Sequence, residues 1–166
     1  MLSEVADLLE KLQAERQDLL NILRGFSEEK AQEHPHGEWS AKQQVAHLVQ
    51  GEPEWLGWAL EIYTTPGATV GQPQEVEQPF LKFVQDADSK PLLWWIEQLQ
   101  QVRAQTLQHL EQMDTASAEA MQRKGTHRTW GEMNVLQFLR GIYRHDRMHR
   151  DQLLDREQGF TPRRAP

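Results

Sequence analysis

The segment Val135-Leu136-Gln137-Phe138-Leu139-Arg140-Gly141-Ile142-Tyr143-Arg144-His145-Asp146-Arg147-Met148-His149-Arg150-Asp151-Gln152-Leu153-Leu154 decides the fold. Val135, Phe138, Ile142, His145, His149 and Gln152 recur at steps of three and four, the period of one face of a helix. The helix is predicted from about Glu132 to Leu154. Working toward the N-terminus, a polar connection from Asp114 to Gly131 separates it from a second apolar-periodic segment. In that segment Leu92, Leu93, Trp95, Ile96, Leu99, Val102, Leu107, Leu110 and Met113 follow Pro91, a residue suited to a first helical turn. Between Thr64 and Ser89 the pattern lapses among Pro66, Gly67, Gly71, Pro73 and Pro79. A connection of this length suits a lid or binding loop, with one short helix expected around Phe80 to Val84.

Ser40-x-x-Gln43 reads as a capping box, so another helix starts at Ala41. It carries two apolar stripes, Val45, Val49, Leu56 and Ala59 on one side and Ala41, Leu48, Trp55 and Trp58 on another, which predicts a helix wedged between neighbours. Pro53 inside it predicts a kink or short break near Gly51 to Pro53. The first helix runs from Ser3 to Phe26 on Val5, Leu8, Leu12, Leu19, Ile22 and Phe26. Its charged residues Glu10, Lys11, Glu15, Arg16 and Asp18 read as a solvated outer face. No segment alternates apolar and polar residues long enough for a half-buried strand. Four long helices with unequal connections make an all-α four-helix bundle, a single domain over residues 1–156 followed by a tail at 157–166.

The chain has 166 residues, enough to bury a core without a metal or disulfide staple. Lys plus Arg is 18 against 25 Asp plus Glu, a net charge of −7 that argues against nucleic acid or an anionic membrane as partner. Cysteine is absent, which removes disulfides and any internal thiol nucleophile. The first twenty residues carry charges throughout, with no apolar export segment, and nothing approaches a membrane span, so a soluble cytoplasmic protein is expected. Phosphate-binding glycine loops and the Gly-x-Ser-x-Gly elbow are missing, which leaves nucleotide binding and triad hydrolysis without support. The six tryptophans read mostly as packing residues; Trp58 and Trp130 stand out.

Seven histidines offer the chemistry. His34, His36 and His127 fall in polar connections and read as solvated loop residues, and His109, alone near an apolar helix side, reads as a partly buried packing residue. His145 and His149 lie four apart, so both imidazoles stack on one face. Two readings stand: the pair chelates a divalent cation, or this end of the stripe has emerged into solvent. A His-Glu-x-x-His protease is disfavoured, because Asp146 stands where the glutamate would be and no third-ligand extension follows. Periodicity alone does not choose a third ligand.

The segment Trp39-Ser40-Ala41-Lys42-Gln43-Gln44-Val45-Ala46-His47-Leu48, followed about a hundred residues later by His145-Asp146-Arg147-Met148-His149-Arg150-Asp151-Gln152-Leu153, resembles the DinB-like family of metal-binding four-helix bundles. That superfamily includes bacillithiol and mycothiol S-transferases and metal-dependent hydrolases. The resemblance implies that His47, His145 and His149 form one site for zinc, nickel or another first-row divalent metal, with water or substrate completing the shell. His47 shares a face with Gly51 and Trp58, compatible with a gap above a metal. Gln44 stands where the family usually has an apolar residue, a departure bearing on local packing. The implied activity is transfer of a low-molecular-weight thiol to an electrophile, with a small-molecule substrate and a homodimeric protein. The alternatives are a metal-dependent hydrolase, for which no carboxylate is clearly placed as base, and a non-enzymatic metal-binding stress-response protein.

Overall fold

In the computed structural model, which describes residues 1–73 and 84–155, the long helices are α1 (Ser3–Arg24), α3 (Ala41–Thr64), α4 (Leu92–Gln112) and α6 (Val135–Leu153). Two short helices, α2 (Glu28–Gln32) and α5 (Ala118–Gln122), lie in the connections after α1 and α4. The Ser40 hydroxyl accepts from the Gln43 amide at 3.2 Å while the Gln43 side chain accepts from the Ser40 amide at 3.0 Å, the reciprocal cap read from the sequence. Asn134 and Gln137 make the same box at the start of α6, so that helix begins at Val135 rather than Glu132. As its two stripes require, α3 packs against both α4 and α6, and α1 packs mainly on α6. The expected break at Pro53 is absent, and α3 runs unbroken through it. One lost backbone hydrogen bond is outweighed by apolar packing on either side and by Glu52, the residue before the proline, which is clamped by two arginines. The short helix expected around Phe80 to Val84 lies, apart from Val84, outside the described residues. No helix among the described residues is long and apolar enough to cross a membrane.

The connection from Asp114 to Gly131 is not the irregular segment expected. It supplies a hairpin, β2 (Lys124–His127) and β3 (Gly131–Asn134), and β1 (Thr69–Val70) joins β2 in parallel, pairing Thr69 with Thr126 and Val70 with His127. The alternation is present in β2, but its inward residues are Gly125 and His127, which hydrophobicity does not register. A Cβ on Gly125 would fall 2.5 Å from Ile62, so only glycine lets the strand lie against the end of α3.

The core is divided. One apolar cluster gathers Leu8, Leu12, Leu56, Ile62, Leu110 and Phe138, the other Leu19, Leu23, Val45, Leu48, Ile96 and Leu99. Between them lies a charged layer with one member from each long helix: Arg16, Glu52, Arg103 and Asp146, each at most 5% exposed. Arg16 donates to Asp146 at 3.0 and 2.9 Å and to Glu52 at 2.5 Å. Arg103 donates to Glu52 at 2.7 and 3.2 Å and to Asp146 at 2.8 Å. The remaining guanidinium nitrogens reach the carbonyls of Leu99 and Leu12, and the Thr106 hydroxyl donates to Glu52. Two positive and two negative charges make the layer neutral. The solvated reading of Arg16 and Glu15 is therefore corrected: both are buried, and Glu15 is held by Arg147 and Arg150 of α6.

Candidate metal centre

Beside the charged layer, α3 and α6 bring His47, His145 and His149 together. His145 Nε2 lies 2.9 Å from His47 Nε2 and 3.2 Å from His149 Nε2, and one ring nitrogen from each residue falls within 4.8 Å of the others. Bonds of about 2.0–2.1 Å to one cation place cis or tetrahedral ligand atoms about 2.8–3.4 Å apart, so the two close nitrogen pairs have the spacing of a first-row metal site. The emergence of the stripe into solvent is excluded, because His149 is buried and His47 and His145 are half-buried.

Gln44 orients the cluster. Its amide nitrogen donates to the Trp39 carbonyl at 3.3 Å, leaving Oε1 to face His149 Nδ1 at 3.1 Å. An amide oxygen only accepts, so His149 carries its hydrogen on Nδ1 and presents a lone pair from Nε2 to the other two rings. The apolar residue expected at position 44 is replaced by a buried hydrogen-bonding one, which fixes a tautomer rather than loosening the packing. Gly51 makes the space: a Cβ there would lie 3.3 Å from His145 Cε1. Trp39 meets the His47 ring at 5.2 Å, edge to face, on the outer side.

Burial holds all three imidazoles neutral. It pushes His47 down to about 3, with help from His145, and His149 well below its ordinary value. His145 falls to about 4 through burial and Arg16, against the opposing pull of Asp146 and Glu52. Neutral imidazoles crowded nitrogen to nitrogen are poor proton acceptors and good ligands. In the neighbouring layer the carboxylates outweigh burial and raise Arg16, while the two arginines outweigh burial and hold Asp146 low.

The other histidines take separate places. His34, His36 and His109 are exposed. His127, read as a solvated loop residue, is only 4% exposed and stacks on Trp130 at 3.9 Å, because β2 turns it inward. Glu54, not singled out from the sequence, stands two turns beyond His47 on the same face of α3, and burial raises its carboxyl above the ordinary range. The seven-residue spacing from His47 was the signal that could have found it.

The model of the DinB superfamily matches residues 11–153. The chain belongs to that superfamily. The described fold is the DinB-like four-helix bundle, here carrying a small three-stranded sheet. Among solved structures it is similar to YfiT from Bacillus subtilis, with a TM-score of 0.76 and 14% identity over 93% of this chain and 87% of that one. YfiT is described as a probable metal-dependent hydrolase with an unusual four-helix bundle topology. No curated protein matches the chain.

Proposed function

We propose that this DinB protein is a metal-dependent enzyme in which His47, His145 and His149 hold one divalent first-row cation, zinc or nickel, with at least one coordination position open to substrate. The observation that carries this reading is the convergence of three neutral imidazole nitrogens at metal-ligand spacing, one of them committed by Gln44 to the ligating tautomer. A cation so held supplies Lewis acidity, lowering the pKa of a water or thiol that shares its shell. The chain's residues do the rest. The half-buried His47 and His145 leave the approach on their side, while the buried His149 closes the other.

The nucleophile we propose is the sulfur of a low-molecular-weight thiol. Three neutral ligands leave the charge of the cation uncompensated in a buried site, which favours an anionic, polarisable partner, and the chain has no cysteine of its own to compete. In the transfer, a sulfur–carbon bond forms as the bond to the leaving group breaks, the leaving group departs with the electron pair, and the thiol proton passes to solvent. A second reading, hydrolysis, is favoured by Glu54, a carboxyl of raised proton affinity on the same helical face, and by the description of YfiT. Glu54 would then accept the proton of the attacking water.

Cobalt-loaded protein separates the two. Thiol transfer requires a sulfur-to-metal charge-transfer band on adding bacillithiol, mycothiol or glutathione, together with thiol-dependent consumption of a chloroarene or epoxide. Thiol-independent turnover that falls at least about tenfold in Glu54→Gln supports hydrolysis. If no thiol tested perturbs the cobalt spectrum, the transferase reading is wrong.

A further inference from the structure

The long helices close on one another along every seam but one. α3 packs against α4 and α6, and α1 packs mainly on α6, but between α1 and α4 a groove of about 550 Å³ remains. Its origin is in the side chains: Ala14 on α1 and Ala104 on α4 form its walls and are too short to meet across the seam. The rim carries the uncharged amides of Gln13, Gln17 and Gln100, all exposed. Although the chain has 25 acidic residues, no carboxylate of the described residues lines this groove. The charged side chains that do are Arg16 and Arg103, both buried and therefore at its floor.

The charged layer is neutral, but it is not symmetric. Its guanidinium groups come from α1 and α4 and its carboxylates from α3 and α6, so its positive side faces the groove and its negative side faces the seam of the histidines. The Nη1 of each arginine turns away from the carboxylates and crosses the α1–α4 seam. Arg16 Nη1 donates to the carbonyl of Leu99, one turn before Arg103, and Arg103 Nη1 donates to the carbonyl of Leu12, one turn before Arg16. A guanidinium carries five N–H groups. Four from Arg16 go to Asp146, Glu52 and Leu99, and four from Arg103 go to Glu52, Asp146 and Leu12. Every nitrogen thus has a partner and the layer needs nothing more to fold, yet each Nη1 keeps one hydrogen with no acceptor among the described residues. Two such hydrogens on cations, at the floor of a groove without carboxylates, are strong donors for an oxyanion.

We propose that the α1–α4 groove binds a small monocarboxylate with a short apolar body, one oxygen accepting the remaining Nη1–H of Arg16, the other that of Arg103, and the carbon chain lying along Ala14, Ala104 and Leu107. Two donors match two carboxylate oxygens, and one negative charge is what the positive side of a neutral layer accommodates; a dianion would bring a surplus. The site lies on the seam opposite the histidines and does not rest on the proposed function.

The test titrates the full chain with butyrate at constant ionic strength and follows the Nε–H resonances of Arg16 and Arg103 by NMR. Butyramide keeps the shape without the charge, and inorganic phosphate keeps the charge without the apolar body. Butyrate is expected to shift both resonances saturably and to bind about tenfold more tightly than either comparison probe. Ala104→Glu, at an exposed position on the groove wall, should weaken butyrate at least about tenfold. His36→Glu adds the same charge on an exposed turn outside the groove and should leave affinity within about twofold. Both substitutions are on the surface, and persistence of the two Nε–H resonances shows the layer intact in each. Butyrate should bind His145→Ala as it binds wild type, since its site includes no metal. Absence of saturable shifts in wild type, butyramide or phosphate binding as tightly as butyrate, undiminished affinity in Ala104→Glu, or loss of binding in His145→Ala would overturn the assignment.

Discussion

The charged layer and the histidine cluster are neighbours. Asp146 follows His145 in α6, and Glu52 follows Gly51, which packs on the His145 ring. In the layer, each carboxylate accepts from both guanidinium groups, and the nitrogens left over reach main-chain carbonyls. Donors and acceptors balance, and the charges cancel. In the cluster, three rings of one kind face one another through nitrogens, with burial and mutual repulsion driving off protons. Equally buried polar groups thus have opposite needs: the layer is complete within the protein, whereas the cluster, in the function proposed above, is completed by a cation. The layer ties the four long helices at one level, and the cluster inherits its α3–α6 register from that tie.

The largest expected effect comes from breaking the layer. Arg103→Ala leaves two buried carboxylates facing one guanidinium and should cost about 3–5 kcal/mol in a urea unfolding measurement. His149→Ala, in metal-free protein, removes a group that carries no charge and should cost less than about 2 kcal/mol. Similar costs for the two variants would erase the distinction.

Next in size is the loss of metal. His47→Ala, His145→Ala and His149→Ala are each expected to weaken binding at least about 100-fold by competition with a chromophoric chelator, since a chelate rarely survives losing one of three ligands. His36→Ala, on an exposed turn, should leave affinity unchanged. Gln44→Leu sharpens the point: it keeps every ligand but frees the His149 tautomer, and a loss of about 10–100-fold is expected. Unchanged affinity in that variant would remove Gln44 from the site.

The last contrast is in pH, where the two regions separate by window. The histidines have folded values depressed below 6.5, so the stability of metal-free protein is fully present above pH 6.5. It is lost as the unfolded chain takes up protons that the folded rings refuse, down to pH about 3–4. Asp146 is depressed below 3.8, so its contribution is intact above that pH and lost only in stronger acid. Unfolding free energy from pH 7.5 to 3 should therefore begin to fall near 6.5, and the triple variant His47→Ala, His145→Ala, His149→Ala should make the decline above pH 4 shallower, leaving the part due to His127, whose ring burial also pushes down to about 4. An undiminished slope would place the titrating groups elsewhere.

The helices and the pair His145 and His149 were legible because both follow the same period: the stripe from Val135 to Gln152 carries the core and then the histidine pair, whereas His47 entered only through the family resemblance. The charged layer also lay on that period, at Arg16 between Leu12 and Leu19, Glu52 between Val49 and Leu56, and Arg103 between Leu99 and Leu110. Of these only Arg16 was read from the sequence, as a surface charge, and only the recurrence of charge at mid-height in four helices marks a buried layer. The hairpin escaped because its inward residues are glycine and histidine, and Gln44 was noted only as a departure in packing because its partner lies 105 positions away. Spacing within one helix is local information, whereas tautomers and neutralised charges depend on what another helix delivers.

The most direct measurement is a cobalt titration of the tag-free chain followed by visible absorption, repeated in His145→Ala and in Arg103→Lys, which keeps the layer's charge. Wild type and Arg103→Lys should saturate at one cobalt per chain with ligand-field bands of a nitrogen-rich site, and His145→Ala should show none at the same concentration. Undiminished one-to-one binding in His145→Ala, or no binding in wild type, would contradict the claim that the three histidines await a cation.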